Sequence, residues 1–236
     1  MAGEIEWGPI FAEPPLIDAS VDMSATDAAR DAEPPVLRRS VIARAVKRSI
    51  DLIAAAGVLL VTAPLSLVVA ALIKLEDGGP VLFRQVRVGQ HAAPFILRKF
   101  RSMRVDAEAE TGPVWAQADD PRVTRVGRWL RLLRIDEIPQ AWNVLRGEMS
   151  FVGPRPERPE FVVTLRAAIP LYDQRHTVRP GITGWAQINH PYGATIEAAR
   201  QKLEYDLEYL RTFSIRRDLL IMLRTIKIVL FGWGSR

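Results

Sequence analysis

The chain of 236 residues contains no cysteine. That excludes a disulfide framework, thiolate nucleophiles and thiolate metal ligands, and it fits a reducing or cytosol-facing setting. Histidine is nearly absent too: His91, His176 and His190 are too scattered to suggest a metal site. The acidic start has no basic n-region, so a secretory signal peptide is not expected. There is no internal repeat and no low-complexity tract. The net charge is +5, yet no aromatic–basic recognition motif accompanies it, and nucleic acid is not expected as a partner.

One further absence is local. From Leu52 to Ile73 the chain runs 22 residues without a charge. A straight helix of that length reaches roughly 33 Å, enough for a hydrocarbon core of about 30 Å. A single membrane crossing is the ordinary expectation, and two features oppose it. Arg38, Arg39, Arg44, Lys47 and Arg48 precede the run, while Lys74, Arg84 and Arg87 follow it; basic flanks mark the cytoplasmic side, so neither end favours translocation. Pro64, near the middle, removes a backbone donor and bends the helix. A helix that enters the bilayer and returns to the same face satisfies both. A core helix of a soluble protein is the remaining reading.

The rest follows from pattern. Residues 1–37 hold eight acids, one arginine and two Pro-Pro pairs, and read as a disordered acidic tail that leaves about +12 on the body. Residues 38–74 form the re-entrant segment and residues 75–236 a cytosolic domain. Val81, Phe83, Val86 and Val88, a loop at Gly89, then Phe95 and Leu97 predict a short β-hairpin. Val126, Leu130 and Leu133 predict a helix with arginines on its other side. A second helix from Glu137 to Arg146 would bury Ile138, Ala141, Trp142 and Leu145 and close at Gly147. Residues 150–194 read as loop-rich. A helix near 195–210 would bury Ile196, Ala199, Leu203, Leu207 and Leu210. The C-terminal segment, with Arg217, Arg224 and Lys227 on one face and Trp233 among its apolar residues, suits a membrane interface, or equally the domain core. The sum is an α+β, mainly helical chain.

The chemistry concentrates in "RIDEIPQAWNVLRGEMSFVGPRPE". Asp136 and Glu137 stand side by side before Pro139, and capping a helix explains them most simply, with Asp136 as N-cap. Capping needs neither two acids nor the surrounding cations. Adjacent carboxylates can divide labour, one binding a hard cation and the other attacking phosphorus: Mg²⁺ favours one or two carboxylates plus substrate phosphates, and a carboxylate nucleophile is known covalent chemistry. Lys99, Arg101, Arg131 and Arg155 are the candidate phosphate clamp, with Arg155 stiffened between two prolines. Arg125 and Arg128 read as a solvated or headgroup-facing stripe, and Trp185 as a core residue rather than a base-stacking one.

The ordered motifs "KRSIDLI", "GPVLFRQVRVG", "FILRKFRSM", "TRVGRWLRLLRIDEIPQAWNVLRGEMSFVGPRPE", "VRPGITGWAQIN" and "YDLEYLRTFSIRRDL" resemble the bacterial monotopic phosphoglycosyl transferases, from about Arg44 to about Val229. The resemblance implies a monotopic protein on the cytoplasmic face of the bacterial inner membrane, with a re-entrant helix and interfacial helices. It implies transfer of a sugar-1-phosphate from a UDP-sugar, here expected to be a UDP-hexose, to polyprenyl phosphate. UMP is released and a lipid-linked glycan such as an exopolysaccharide is begun. Asp136 would be the nucleophile, forming an aspartyl-phosphosugar, and Glu137 the Mg²⁺ ligand. Where larger relatives carry membrane helices before this region, only the acidic tail stands here, so a minimal form is expected. Three positions depart from the family's habit. Ala63 precedes Pro64 where Ser is frequent, Arg134 replaces a frequent Ser, and Ala92-Ala93 stands where Gly is frequent. Without the resemblance, a non-catalytic module that reads anionic lipid headgroups remains open.

Overall fold

The computed structural model describes residues 40–231 except 110, 111, 113, 115–119, 191, 192 and 194. The acidic tail, Arg38, Arg39 and Trp233 lie outside the described residues. In chain order the elements are α1 (Val41–Asp77), β1 (Leu82–Val88), β2 (Pro94–Phe100), α2 (Arg125–Leu132), α3 (Gln140–Arg146), β3 (Ser150–Val152), α4 (Pro159–Ala168), β4 (Gly181–Thr183), α5 (Trp185–Asn189), α6 (Ile196–Arg211) and α7 (Ile215–Phe231). The protein is mainly helical, as expected, with two small sheets, of which only the β1–β2 hairpin was expected.

The uncharged run becomes a single helix. Ser40 caps α1 by accepting from the Ala43 amide at 3.1 Å, and Gly78, at φ 71°, ends it in the left-handed conformation that Gly adopts without a Cβ clash. Pro64 lies inside it. The Thr62 hydroxyl, two residues earlier, donates to the Val58 carbonyl at 2.6 Å. Such back-bonding bends helices, so a hydroxyl supports the proline site although Ala63 lacks one.

Both ends of α1 are tied to one body. Near its start, Arg48 donates to the Val144 and Leu145 carbonyls in the last turn of α3, at 2.7 and 3.0 Å. Lys47 donates to the Val152 carbonyl and pairs with Asp218 of α7, and Asp51 accepts from Ser150 and the Phe151 amide. Lys47 and Arg48 are therefore structural ties as well as flank charges. Near its end, Val69 and Ile73 pack on Phe100 and Leu130. Between these ties the helix projects apolar side chains outward: Leu60 and Val61 are 78% exposed and Leu67 74%.

β1 and β2 form the expected antiparallel hairpin, with Leu82 opposite Phe100 and Val88 opposite Pro94. The inner face of β2 carries Phe95 and Leu97, which pack with Ala55 of α1 and Ala141 and Val144 of α3. The other edge of β2 is closed by a side chain. Asn143 accepts from the Arg98 amide at 3.1 Å and donates to the Ile96 carbonyl at 2.7 Å, standing in for a third strand. β3 and β4 pair in parallel, Ser150 with Gly181 and Val152 with Thr183. A larger core gathers Val152, Val162, Leu165, Leu203, Leu207 and Tyr209.

Several expectations are corrected. Residues 150–194 are rich in loops but also hold β3, β4, α5 and an unexpected helix, α4, with Pro159 in its first turn and Val162 and Leu165 buried. Leu133 lies beyond the end of α2 and is 49% exposed. In α3 Trp142 is exposed while Gln140 and Asn143 are buried, because Asn143 serves the strand edge. Leu203, Leu207 and Leu210 of α6 are buried, but Ile196 at its start is exposed. On α7, Arg217 lies 4.1 Å above the Trp185 ring and bonds Glu208, and Arg224 lies 5.7 Å from that ring. Trp185 packs against the larger core, as expected, with these cations over its ring, while Leu219, Leu220, Leu223 and Ile226 face outward.

Candidate active site

The acids do not cap α3. They lie in a 3-10 turn, Ile135–Glu137, entered through Arg134 at φ 57°, and Pro139 occupies the N-cap of α3. The capping explanation for the pair therefore fails. Asp136 and Glu137 are held instead by the turn's own bonds, Glu137 N to Arg134 O at 3.2 Å and Ile138 N to Ile135 O at 3.1 Å.

Lys99 reaches them from β2. Side chains alternate along a strand, so Lys99 continues the row of Phe95 and Leu97 just past the hydrophobic contact. Its ammonium lies 3.1 Å from Glu137 Oε1 and 3.9 Å from Asp136 Oδ2. Arg155 approaches from the loop after β3, with Nη2 at 2.8 Å from the same Oε1. Both cations thus converge on one oxygen of Glu137. Among the described residues, Glu137 Oε2 has no hydrogen bond and Asp136 has none at all.

The two carboxyls titrate in opposite directions. Burial pushes Asp136 above the ordinary value and Glu137 adds to it, against the pull of Lys99, Arg155 and Arg131. Burial opposes ionisation of Glu137 as well, but Arg155 and Lys99 outweigh it and hold that carboxyl well below the usual range. Glu137 also holds the Arg155 guanidinium above its ordinary value. The pair is one pinned anion beside one more basic, unbonded carboxylate.

Of the other candidates, Arg131 is near but differently engaged: its Nε donates to Ser102 Oγ at 3.0 Å, and its charge still lowers the Asp136 pKa. Arg101 is not brought into the site. Its guanidinium forms a two-point pair with Asp77, and its Nε donates to the Pro80 carbonyl at 2.7 Å, which fastens the end of α1 to the hairpin. Sequence reasoning missed Ser102, Asn143 and the electrostatic role of Arg134 on Glu137. No pattern marks the first two, whereas Arg134 stood out only as a departure from a frequent Ser.

The donor set fits a particular kind of ion. Among the described residues no three His, Cys, Asp or Glu side chains gather into a metal cage. Two adjacent carboxylates, one with an unbonded oxygen and the other without hydrogen bonds, match an oxygen-seeking cation that completes its shell with water and substrate phosphates, as Mg²⁺ does.

A helix long and apolar enough to cross a membrane thus lies beside a buried acid pair held by two cations. The comparisons supply the class. Residues 42–232 match the family model described as bacterial sugar transferase, and the chain belongs to that family. It is 49% identical over 191 residues to the UDP-N-acetylgalactosamine-undecaprenyl-phosphate N-acetylgalactosaminephosphotransferase of Aeromonas hydrophila, covering 81% of this chain and 45% of that protein. It is 48% identical over 188 residues to the UDP-glucose:undecaprenyl-phosphate glucose-1-phosphate transferase of Caulobacter vibrioides, 78% of this chain and 69% of that one. A similarity of 42% over 190 residues, 77% of this chain and 93% of the other, joins it to an exopolysaccharide production protein of Rhizobium leguminosarum bv. phaseoli. The chain spans less than half the length of the Aeromonas relative.

Proposed function

We propose that the chain transfers a sugar-1-phosphate from a UDP-sugar to polyprenyl phosphate, releasing UMP, at the cytoplasmic face of the bacterial inner membrane. The product would begin a lipid-linked glycan such as an exopolysaccharide. The observation that carries this reading is the asymmetry of the dyad: Glu137 is pinned by Lys99 and Arg155 while its buried neighbour Asp136 keeps its lone pairs uncommitted. The relatives named as undecaprenyl-phosphate transferases support the substrate classes, with glucose in one name and N-acetylgalactosamine in another.

In the first half-reaction an Asp136 oxygen attacks the β-phosphorus of the UDP-sugar. The bond from that phosphorus to the oxygen shared with the α-phosphate breaks, and UMP leaves with the electron pair. The sugar phosphate is then an acyl-phosphate on Asp136. In the second, a phosphate oxygen of the lipid attacks the same phosphorus and expels the Asp136 carboxylate, which gives a lipid diphosphate sugar. Mg²⁺ bound through Glu137 and the substrate's diphosphate would neutralise charge at the transferring group. Lys99 and Arg155 keep Glu137 ionised for that purpose, and their positive charge lets a diphosphate approach a carboxylate.

The re-entrant reading of α1 is supported by its two sets of ties. A helix that crosses a bilayer leaves only one end on the body to which it belongs, whereas both ends of α1 bond the same body and its exposed apolar middle lies between. The outward leucines of α7 suit a neighbouring place at the interface.

UMP release from a panel of UDP-sugars (glucose, galactose, N-acetylgalactosamine) with and without polyprenyl phosphate tests the proposal. Lipid-dependent turnover of at least one sugar is expected. No UMP from any of them, by folded protein in lipid, would refute it.

A further inference from the structure

Pro154, Arg155, Pro156 and Glu157 form a segment with unusual backbone support. Its two prolines have no N–H to donate, so little but its carbonyls can hold it in place. Four successive carbonyls each accept a bond from elsewhere. Pro154 O takes the Gly181 amide at 2.9 Å, Arg155 O takes Arg175 Nη2 at 2.9 Å, Pro156 O takes Arg87 Nη1 at 3.1 Å, and Glu157 O takes the Val88 amide at 2.9 Å. The bond on Arg155 itself comes from Arg175, a side chain to which neither sequence motif nor site chemistry gave a role.

Arg175 is itself fixed. It lies in the 3-10 turn Tyr172–Thr177 and is 7% exposed. Its Nε donates to Asp206 Oδ2 at 3.1 Å, its Nη2 lies 2.9 Å from the same oxygen, and its Nη1 donates to the Tyr172 hydroxyl at 2.7 Å. Asp206, on α6, is 2% exposed. The planar guanidinium fork thus has one edge on a buried carboxylate, one nitrogen on a phenol and one N–H left for the Arg155 carbonyl. A lysine cannot make all three contacts.

We infer that Arg175 is a positioning residue: by tying the Arg155 carbonyl to α6 through Asp206, it keeps the Arg155 guanidinium on Glu137. The inference rests on the transfer reading above. It gives the geometry of the clamp a physical origin, since a guanidinium on a carbonyl-held loop is only as well placed as the carbonyl beneath it.

A double-mutant cycle on UMP release, using full-length protein in lipid, tests it. Arg175→Lys alone should lower kcat/KM about 10- to 100-fold, and Arg155→Ala alone at least as much. Because Arg175 acts only through Arg155, the double variant should be within about threefold of Arg155→Ala. Losses that multiply would overturn the inference. Amide hydrogen exchange supplies a second readout that needs no activity. Arg175→Lys should speed exchange at the Gly181 and Val88 amides, which donate to the Pro154 and Glu157 carbonyls, about tenfold or more and leave α6 protected; unchanged exchange at those two amides, or faster exchange throughout, would also overturn it. If Arg175→Lys does not fold, the pair Arg175→Met with Asp206→Leu removes the tie without leaving a buried charge alone, and the same outcomes apply. If wild-type protein releases no UMP from any UDP-sugar, the transfer reading falls, while exchange at the Gly181 and Val88 amides still decides whether the tie exists.

Discussion

The ammonium of Lys99 sits 3.1 Å from Glu137 Oε1, closer than the 3.9 Å that separates it from Asp136 Oδ2. One lysine thus serves two acids unequally: it bonds the first and only screens the second. Its own pKa is lowered, chiefly by burial, against the pull of Glu137.

Replacing Lys99 should therefore show itself in the pH profile. Asp136 attacks only when ionised, and Lys99 is the largest influence opposing the burial that raises its pKa. Lys99→Met should move the acid limb of kcat/KM for UMP release to higher pH, so that the loss at pH 6 exceeds the loss at pH 8. A uniform loss across pH would show that Lys99 does not tune Asp136.

Arg101 should behave differently from its neighbour two residues earlier. Its pair with Asp77 fastens α1 to the hairpin, so Asp77→Asn should cost about 1–3 kcal/mol of stability and leave UMP release by the folded protein within about threefold. The sign with pH follows from Asp77, which the Arg101 hydrogen bond lowers from 3.8 to about 2. Its contribution is complete above 3.8 and is lost as pH falls toward 2, so the variant's deficit should shrink over that window in denaturant titrations.

Gly127 should tolerate no side chain. A Cβ there would lie 2.0 Å from the Ser102 carbonyl oxygen, a backbone atom. Gly127→Ala should cost about 3 kcal/mol or more, read as a fall in melting temperature. Displacing Ser102 also disturbs its bond from Arg131, so activity should fall with stability.

The outward side chains of α1 should govern attachment to lipid. Leu60, Val61 and Leu67 contribute to none of the three cores, and each stabilises insertion by roughly 1.5–3 kcal/mol if its apex enters the bilayer. The triple change to Ser should lower partitioning into vesicles at least 100-fold without a change in melting temperature in detergent. Unchanged partitioning would place the apex outside the bilayer.

The hairpin and the cationic surroundings of the dyad were legible because both follow local rules: alternation marked β1 and β2, and composition marked the cluster of charge around two acids. The sequence misled where a side chain took a backbone's role. Asn143 is buried because β2 needs an edge partner, which turned Trp142 outward against its hydrophobic pattern. Arg101 carries the same charge as Lys99 and lies two residues on, but only the fold shows that Asp77 claims it. The prolines at 154, 156 and 159 hid α4, although proline suits a helix's first turn. Ala92, noted as a departure from Gly, proves to lie at φ 58°, a conformation that glycine adopts without strain.

A mass measurement on Asp136 bears on all of this. Protein incubated with a turned-over UDP-sugar and no lipid acceptor, then quenched, should gain the mass of one sugar phosphate, mapped to the peptide containing Asp136. Polyprenyl phosphate should remove it, and Asp136→Asn should never acquire it. An adduct on another residue, or steady lipid-dependent turnover by Asp136→Asn, would contradict the assignment of Asp136 as the nucleophile.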